Sequence, residues 1–168
     1  MTSTQIFETL VVQACVDLFA AYGVTLTGTT DPPGGDGFAL CGVIGFSTDG
    51  AGGMLMLAVS GEPFGASAPI GAGPRRAWIA ELANQLLGRV KNRALAHGAT
   101  LTLATPLVLR GQHLAPVPRV ELEPHQFRAS TGGHVCLWFE VETDDGFALS
   151  AQPADVSGAV HEGDALLF

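Results

Sequence analysis

Basic residues are scarce in this chain. Lys and Arg number 8 among 168 residues, against 16 Asp and Glu, for a formal net charge of −8. That balance disfavours nucleic acid and anionic lipid surfaces, both of which reward clustered Lys and Arg. Small molecules and proteins are the expected partners, with no nucleic acid and no membrane. Cysteine is sparse too: Cys15, Cys41 and Cys136 lie far apart in apolar runs without CxxC spacing. The odd count predicts buried thiols kept reduced, a reactive thiol being the alternative. No stretch reaches the roughly 18 consecutive apolar residues of a membrane span. The N-terminal residues carry no basic n-region, and Glu8 and Asp17 interrupt the apolar positions behind them. A secretory signal is therefore not expected, and the expected location is cytoplasmic.

Several chemical signatures are also missing. Of the five histidines, His97, His113, His125, His134 and His161, none stands three or four residues from another on a predicted helix, so metal ligation is not expected. The glycine clusters at 34–37 and 50–53 lack the Lys-Ser/Thr of a phosphate loop and read as turns. Ser67 has Pro69 where a nucleophile elbow needs its second glycine, and reads as loop.

Hydrophobic residues make up 47% of the chain, enough to exclude disorder and to fill the core of one domain over 1–168. Helical spacing from Thr4 to Tyr22 predicts a first helix, with Ser3 or Thr4 as N-cap and Gly23 as stop. An extended piece at 24–26 and strands at 38–47 and 54–60 follow, the last two joined by a hairpin connection over Asp49 to Gly53. A second helix is predicted from near Pro74 to Gly98. Strand signals recur at 100–104, 107–109, 127–130 and 135–141, and the apolar end at 165–168 reads as a last strand. These elements predict an α+β fold: a mainly antiparallel sheet packed against two long helices.

On a wheel, the second helix places Ile79, Leu82, Ala83, Leu86, Val90 and Ala94 on one side. Glu81, Asn84, Gln85, Gly88 and Asn92 fall on the other, with Glu81 and Asn84 about one turn apart. Asn is a poor mid-helix residue, and Gly88 costs about 1 kcal/mol against Ala in a helix interior. A bare glycine on such a stripe leaves room for another backbone or a bulky side chain. Arg75, Arg76, Arg89, Lys91 and Arg93 make the helix a locally positive ridge on a negative chain. Trp78, near its start, is expected to pack rather than to anchor an interface. A solvated polar face is the plain reading of this stripe, and a docking face the sharper one.

The run from Trp78 to Arg93, with Glu81-x-x-Asn84, then Gly88, Lys91 and Asn92, and Pro106 about twenty residues on, resembles the signature of the CheX-like chemotaxis phosphatases, relatives of CheC and FliY. The resemblance spans roughly 78–111. It implies dephosphorylation of the aspartyl phosphate on a CheY-like response-regulator receiver domain. Asn84 would orient the attacking water, Glu81 would engage the receiver's lysine, and Gln85, Gly88 and Asn92 would line the docking face. Mg2+ is expected on the receiver and no cofactor on this chain, and the family implies a homodimer. Ala77 stands where relatives commonly carry Asp or Ser. It favours the alternative of a non-catalytic receiver-binding adaptor or structural module using the same helix.

Overall fold

The computed structural model describes residues 1–31, 33, 38, 40–61, 72–117 and 123–154. The elements run α1 (Ser3–Ala21), β1 (Leu26–Gly28), β2 (Leu40–Thr48), β3 (Ala51–Ser60), α2 (Ala72–Ala96), β4 (Thr102–Leu103), β5 (Leu107–Arg110), β6 (His125–Ala129) and β7 (His134–Thr143). This is the α+β arrangement expected: an antiparallel sheet and two helices, of 19 and 25 residues.

The cap of α1 is Thr2, one residue before the expected Ser3 or Thr4. Its hydroxyl accepts from the Gln5 N–H while Gln5 Oε1 accepts from the Thr2 N–H, a reciprocal capping box. At the far end Gly23 takes φ 75°, and the N–H groups of Gly23 and Val24 bond the carbonyls of Ala20 and Phe19. That closure occupies Gly23 and Val24, so strand pairing begins at Leu26, two residues later than expected. Helix α2 closes in the same way at Gly98, φ 87°. By length and composition α1 could cross a bilayer, but Ile6, Phe7, Leu10, Val11, Ala14, Cys15, Leu18 and Phe19 are all buried in the core.

The sheet order is β1-β6-β7-β3-β2-β4, with β5 also on β2 and every pairing antiparallel. The β2–β3 turn is only Asp49-Gly50, with Gly50 at φ 77°, so Gly52 and Gly53 belong to the strand and not to the connection. Gly53 is required there because a Cβ would run into the backbone of Glu140 on β7. Pro106 separates β4 from β5. Leu103 pairs Phe46 and Leu107 pairs Val43, so three residues of one strand stand against two of the other, a bulge at the residue that cannot donate.

Both helices cover one sheet face. Their apolar stripes meet Ile44, Phe46, Leu55, Leu57, Leu137 and Phe139 in the main core. The opposite face carries a smaller cluster of Cys41, Met56, Ala58, Cys136 and Trp138 under Phe38 and Leu114. Phe147 stacks on Phe7, and Leu149, buried beyond it, donates its N–H to Ser3 Oγ. The expected turn at 34–37 falls outside the described residues. The loop holding Ser67, His161 and the strand at 165–168 lie wholly outside them.

Gly42 decides how close α2 lies to the sheet. A Cβ there would sit 2.9 Å from the Ile79 carbonyl oxygen and 3.1 Å from the Ala83 Cβ, both on α2. Gly42→Val is expected to destabilise the protein by about 1–3 kcal/mol, read as a lower denaturation midpoint in urea, because the helix must move off the strand.

Candidate functional site

The apolar side of α2 is as expected: Ile79, Leu82, Ala83, Leu86, Val90 and Ala94 are fully buried, and Leu87 joins them. Trp78 is half-buried and packs on the same core. Turning the helix by its 3.6-residue period puts Glu81 at the centre of the opposite side. Glu81 is exposed, whereas Asn84, Gln85, Gly88 and Asn92 are each half-buried. The polar stripe is therefore not uniformly solvent-facing. Helix α1 packs along one flank and partly shelters it.

Contacts with α1 identify that flank. Arg93 Nη2 meets Asp17 Oδ2 at 2.6 Å, and the Tyr22 hydroxyl donates to Gln85 Oε1 at 3.2 Å. Gln85 Nε2 in turn donates to Glu81 Oε1 at 3.0 Å. Arg93 is thus engaged within the fold by Asp17, while Arg75 and Arg76 of the basic fringe are exposed. On the flank away from α1, Asn84 has the small residues Ala77 and Ala80 before it and Gly88 one turn after, with Lys91 a further turn along. A Cβ built on Gly88 meets nothing within 4 Å. Gly42 and Gly53 are demanded by the fold's own packing, whereas among the described residues none makes that demand of Gly88.

A carboxylate and a carboxamide one turn apart, beside bare helix backbone, can together dock on a cation and hold a water by hydrogen bonds. The participant that sequence reasoning missed is Tyr22, the only tyrosine in the chain. It lies 63 residues from Gln85, and no local spacing links the two.

The thiols are not nucleophiles. Cys15, Cys41 and Cys136 are free and fully buried, and burial pushes each thiol up to about 12 from 9.0. Ellman's reagent is expected to label none of them at pH 8 until denaturant is added. Because the folded pKa is the higher one, this contribution to stability is fully present below pH 9. It is lost progressively as pH rises from 9 toward 12. Among the described residues no group of three or more His, Cys, Asp or Glu is placed to hold a metal ion.

No family profile matches the sequence, and no curated protein matches it. Solved structures do. The chain superposes on the chemotaxis protein CheX from Vibrio vulnificus with a TM-score of 0.67 at 16% identity, over 81% of this chain and 96% of that one. CheX in the CheX-CheY-BeF3-Mg+2 complex from Borrelia burgdorferi gives 0.65 at 10% identity, over 81% and 97%. A chemotactic CheC-like protein from Shewanella oneidensis gives 0.62 at 18% identity, over 81% and 97%. At such identities the likeness establishes architecture, and what it establishes is that this chain has the CheX/CheC-type fold.

Proposed function

We propose that the chain, read as one CheX-like domain over 1–168, is a phosphatase for the aspartyl phosphate of a CheY-like receiver domain. Its setting is chemotaxis or related two-component signalling in the cytoplasm. The observation that carries the proposal is Asn84 standing beside exposed Glu81 on an α2 flank kept low by Ala77, Ala80 and Gly88, in a fold shared with CheX. A receiver surface could approach the helix backbone closely there, and among the described residues nothing packs where a Cβ on Gly88 would sit.

In this reading Glu81 docks on the receiver's lysine and sets the register. Asn84 reaches the phosphoryl group and holds a water in line with the P–O bond to the aspartate. Water attacks phosphorus, that bond breaks, the aspartate carboxylate leaves and inorganic phosphate forms, with the water's proton passing to solvent or phosphate. A neutral carboxamide can orient water without adding negative charge beside phosphate, and phosphoryl transfer depends mainly on such positioning. The receiver's own site holds the Mg2+ that offsets phosphoryl charge, so this chain needs no cofactor of its own. Gln85, Gly88 and Asn92 complete the docking face. We further propose a homodimer: β5, at the sheet border, carries exposed Leu107 and Leu109, and such an edge needs covering.

Gly88→Leu separates docking from folding. It is expected to raise stability by about 0.5–1 kcal/mol, since glycine is the poorer helix former and the space is open. It is also expected to weaken phospho-receiver binding at least about tenfold by clash. Unchanged binding in a titration would sink the docking face. Ala77, exposed where relatives commonly carry Asp or Ser, supports the second reading of a non-catalytic adaptor or structural module. A complex lost on Glu81→Arg, with no phosphate released by the wild-type chain, would favour it.

A further inference from the structure

The Tyr22–Gln85–Glu81 bonds have a polarity set by their end. A carboxylate only accepts, so the Gln85 amide must turn its NH2 group to Glu81 and its oxygen to Tyr22, leaving the Tyr22 hydroxyl as donor. The opposite amide orientation would bring two acceptor oxygens together. Tyr22 is a fixed point for this chain of bonds. It is the C-cap of α1, at φ −93° and ψ 9°, with its N–H on the Phe19 carbonyl and left-handed Gly23 directly after it. The Arg93–Asp17 ion pair holds α1 beside α2 further along the same flank. Glu81, by contrast, is exposed, and a free glutamate side chain samples several rotamers.

We propose that Tyr22 is a positioning residue that, through Gln85, holds the Glu81 carboxylate in one orientation on the docking face. The inference deepens the receiver-docking reading and rests on it for its consequence, although the positioning itself is a property of the free protein. It also gives Gln85 a second task beyond lining the face: one end of its amide is occupied by Glu81 and the other by Tyr22.

The test uses Tyr22→Phe, which keeps the ring and removes the hydroxyl, and it has two arms. In the free protein, NMR couplings reporting χ1 of Gln85 and Glu81 are expected to show single rotamers in the wild type and averaging in Tyr22→Phe. With a phospho-receiver, Tyr22→Phe is expected to raise KM about threefold with kcat unchanged, the size of one exposed hydrogen bond. It should add nothing in a Gln85→Ala background, because both changes cut the same chain of bonds. Unchanged couplings in Tyr22→Phe, or a full Tyr22→Phe effect on KM without Gln85, overturns the proposal. If the couplings respond while Glu81→Ala docks as well as wild type, positioning stands and the docking role of Glu81 falls.

Discussion

Asn84→Ala is expected to lower the rate constant for receiver dephosphorylation by about 100-fold or more, the usual cost of removing one group that positions or stabilises the reacting atoms. The change removes the carboxamide of a side chain that lies outside the apolar core. Asn84 is half-buried on the outer side of α2, whereas the core side is filled by Leu82, Ala83, Leu86 and Leu87. Alanine is also the better helix former, so the denaturation midpoint should hold or rise slightly. Binding to the phospho-receiver should change little, because the proposed docking residue is Glu81. Asn84→Asp is the sharper companion. It keeps the shape but places a carboxylate beside phosphate, and is expected to be at least as slow. Phosphate release from a phosphorylated receiver, followed at saturating receiver, is the measurement. If Asn84→Ala keeps the wild-type rate, the water-orienting mechanism is wrong.

The second large effect is expected on stability, at Phe7. This fully buried residue of α1 meets Phe46 of β2 at a ring-centroid distance of 5.9 Å and Phe139 of β7 at 6.0 Å. It also stacks on Phe147 of the C-terminal segment at 6.3 Å and 5°. One ring thus joins the first helix, two strands and the segment that crosses back over the helix ends. Phe7→Ala is expected to cost about 3–5 kcal/mol, combining lost transfer free energy with a cavity that three surrounding aromatic rings cannot fill. For a chain of this size that corresponds to a fall in Tm of roughly 10 °C. Calorimetry at fixed protein concentration reads it directly. A shift within about 2 °C would mean that the surrounding rings repack.

Much of this was legible in the linear pattern. The core stripe of α2 was read residue for residue apart from Leu87, because a 3.6-residue period assigns side chains to faces without knowledge of what lies opposite. Both closing glycines, Gly23 and Gly98, were legible for a similar reason: a left-handed residue after a helix favours glycine whatever the surroundings. The misplacements had a common cause. Gly52 and Gly53 look like turn residues, yet Gly53 lies within β3 because the Glu140 backbone comes close across the sheet. Val24 looks like the start of a strand, yet its N–H is taken by the end of α1. Arg93 looks like part of a basic fringe, yet Asp17 holds it.

What the sequence determined by itself was therefore the face of one helix: Glu81, Asn84 and Gly88 stand together because residues three and four apart on an α-helix must be neighbours. Which flank of that face lies against another helix was decided only by the packing of α1. It brings Tyr22 across 63 residues to Gln85 and leaves Asn84 on the far side. Helical spacing is a local consequence of backbone geometry, whereas the packing of two helices depends on the sheet they both cover. No short stretch of sequence contains that information.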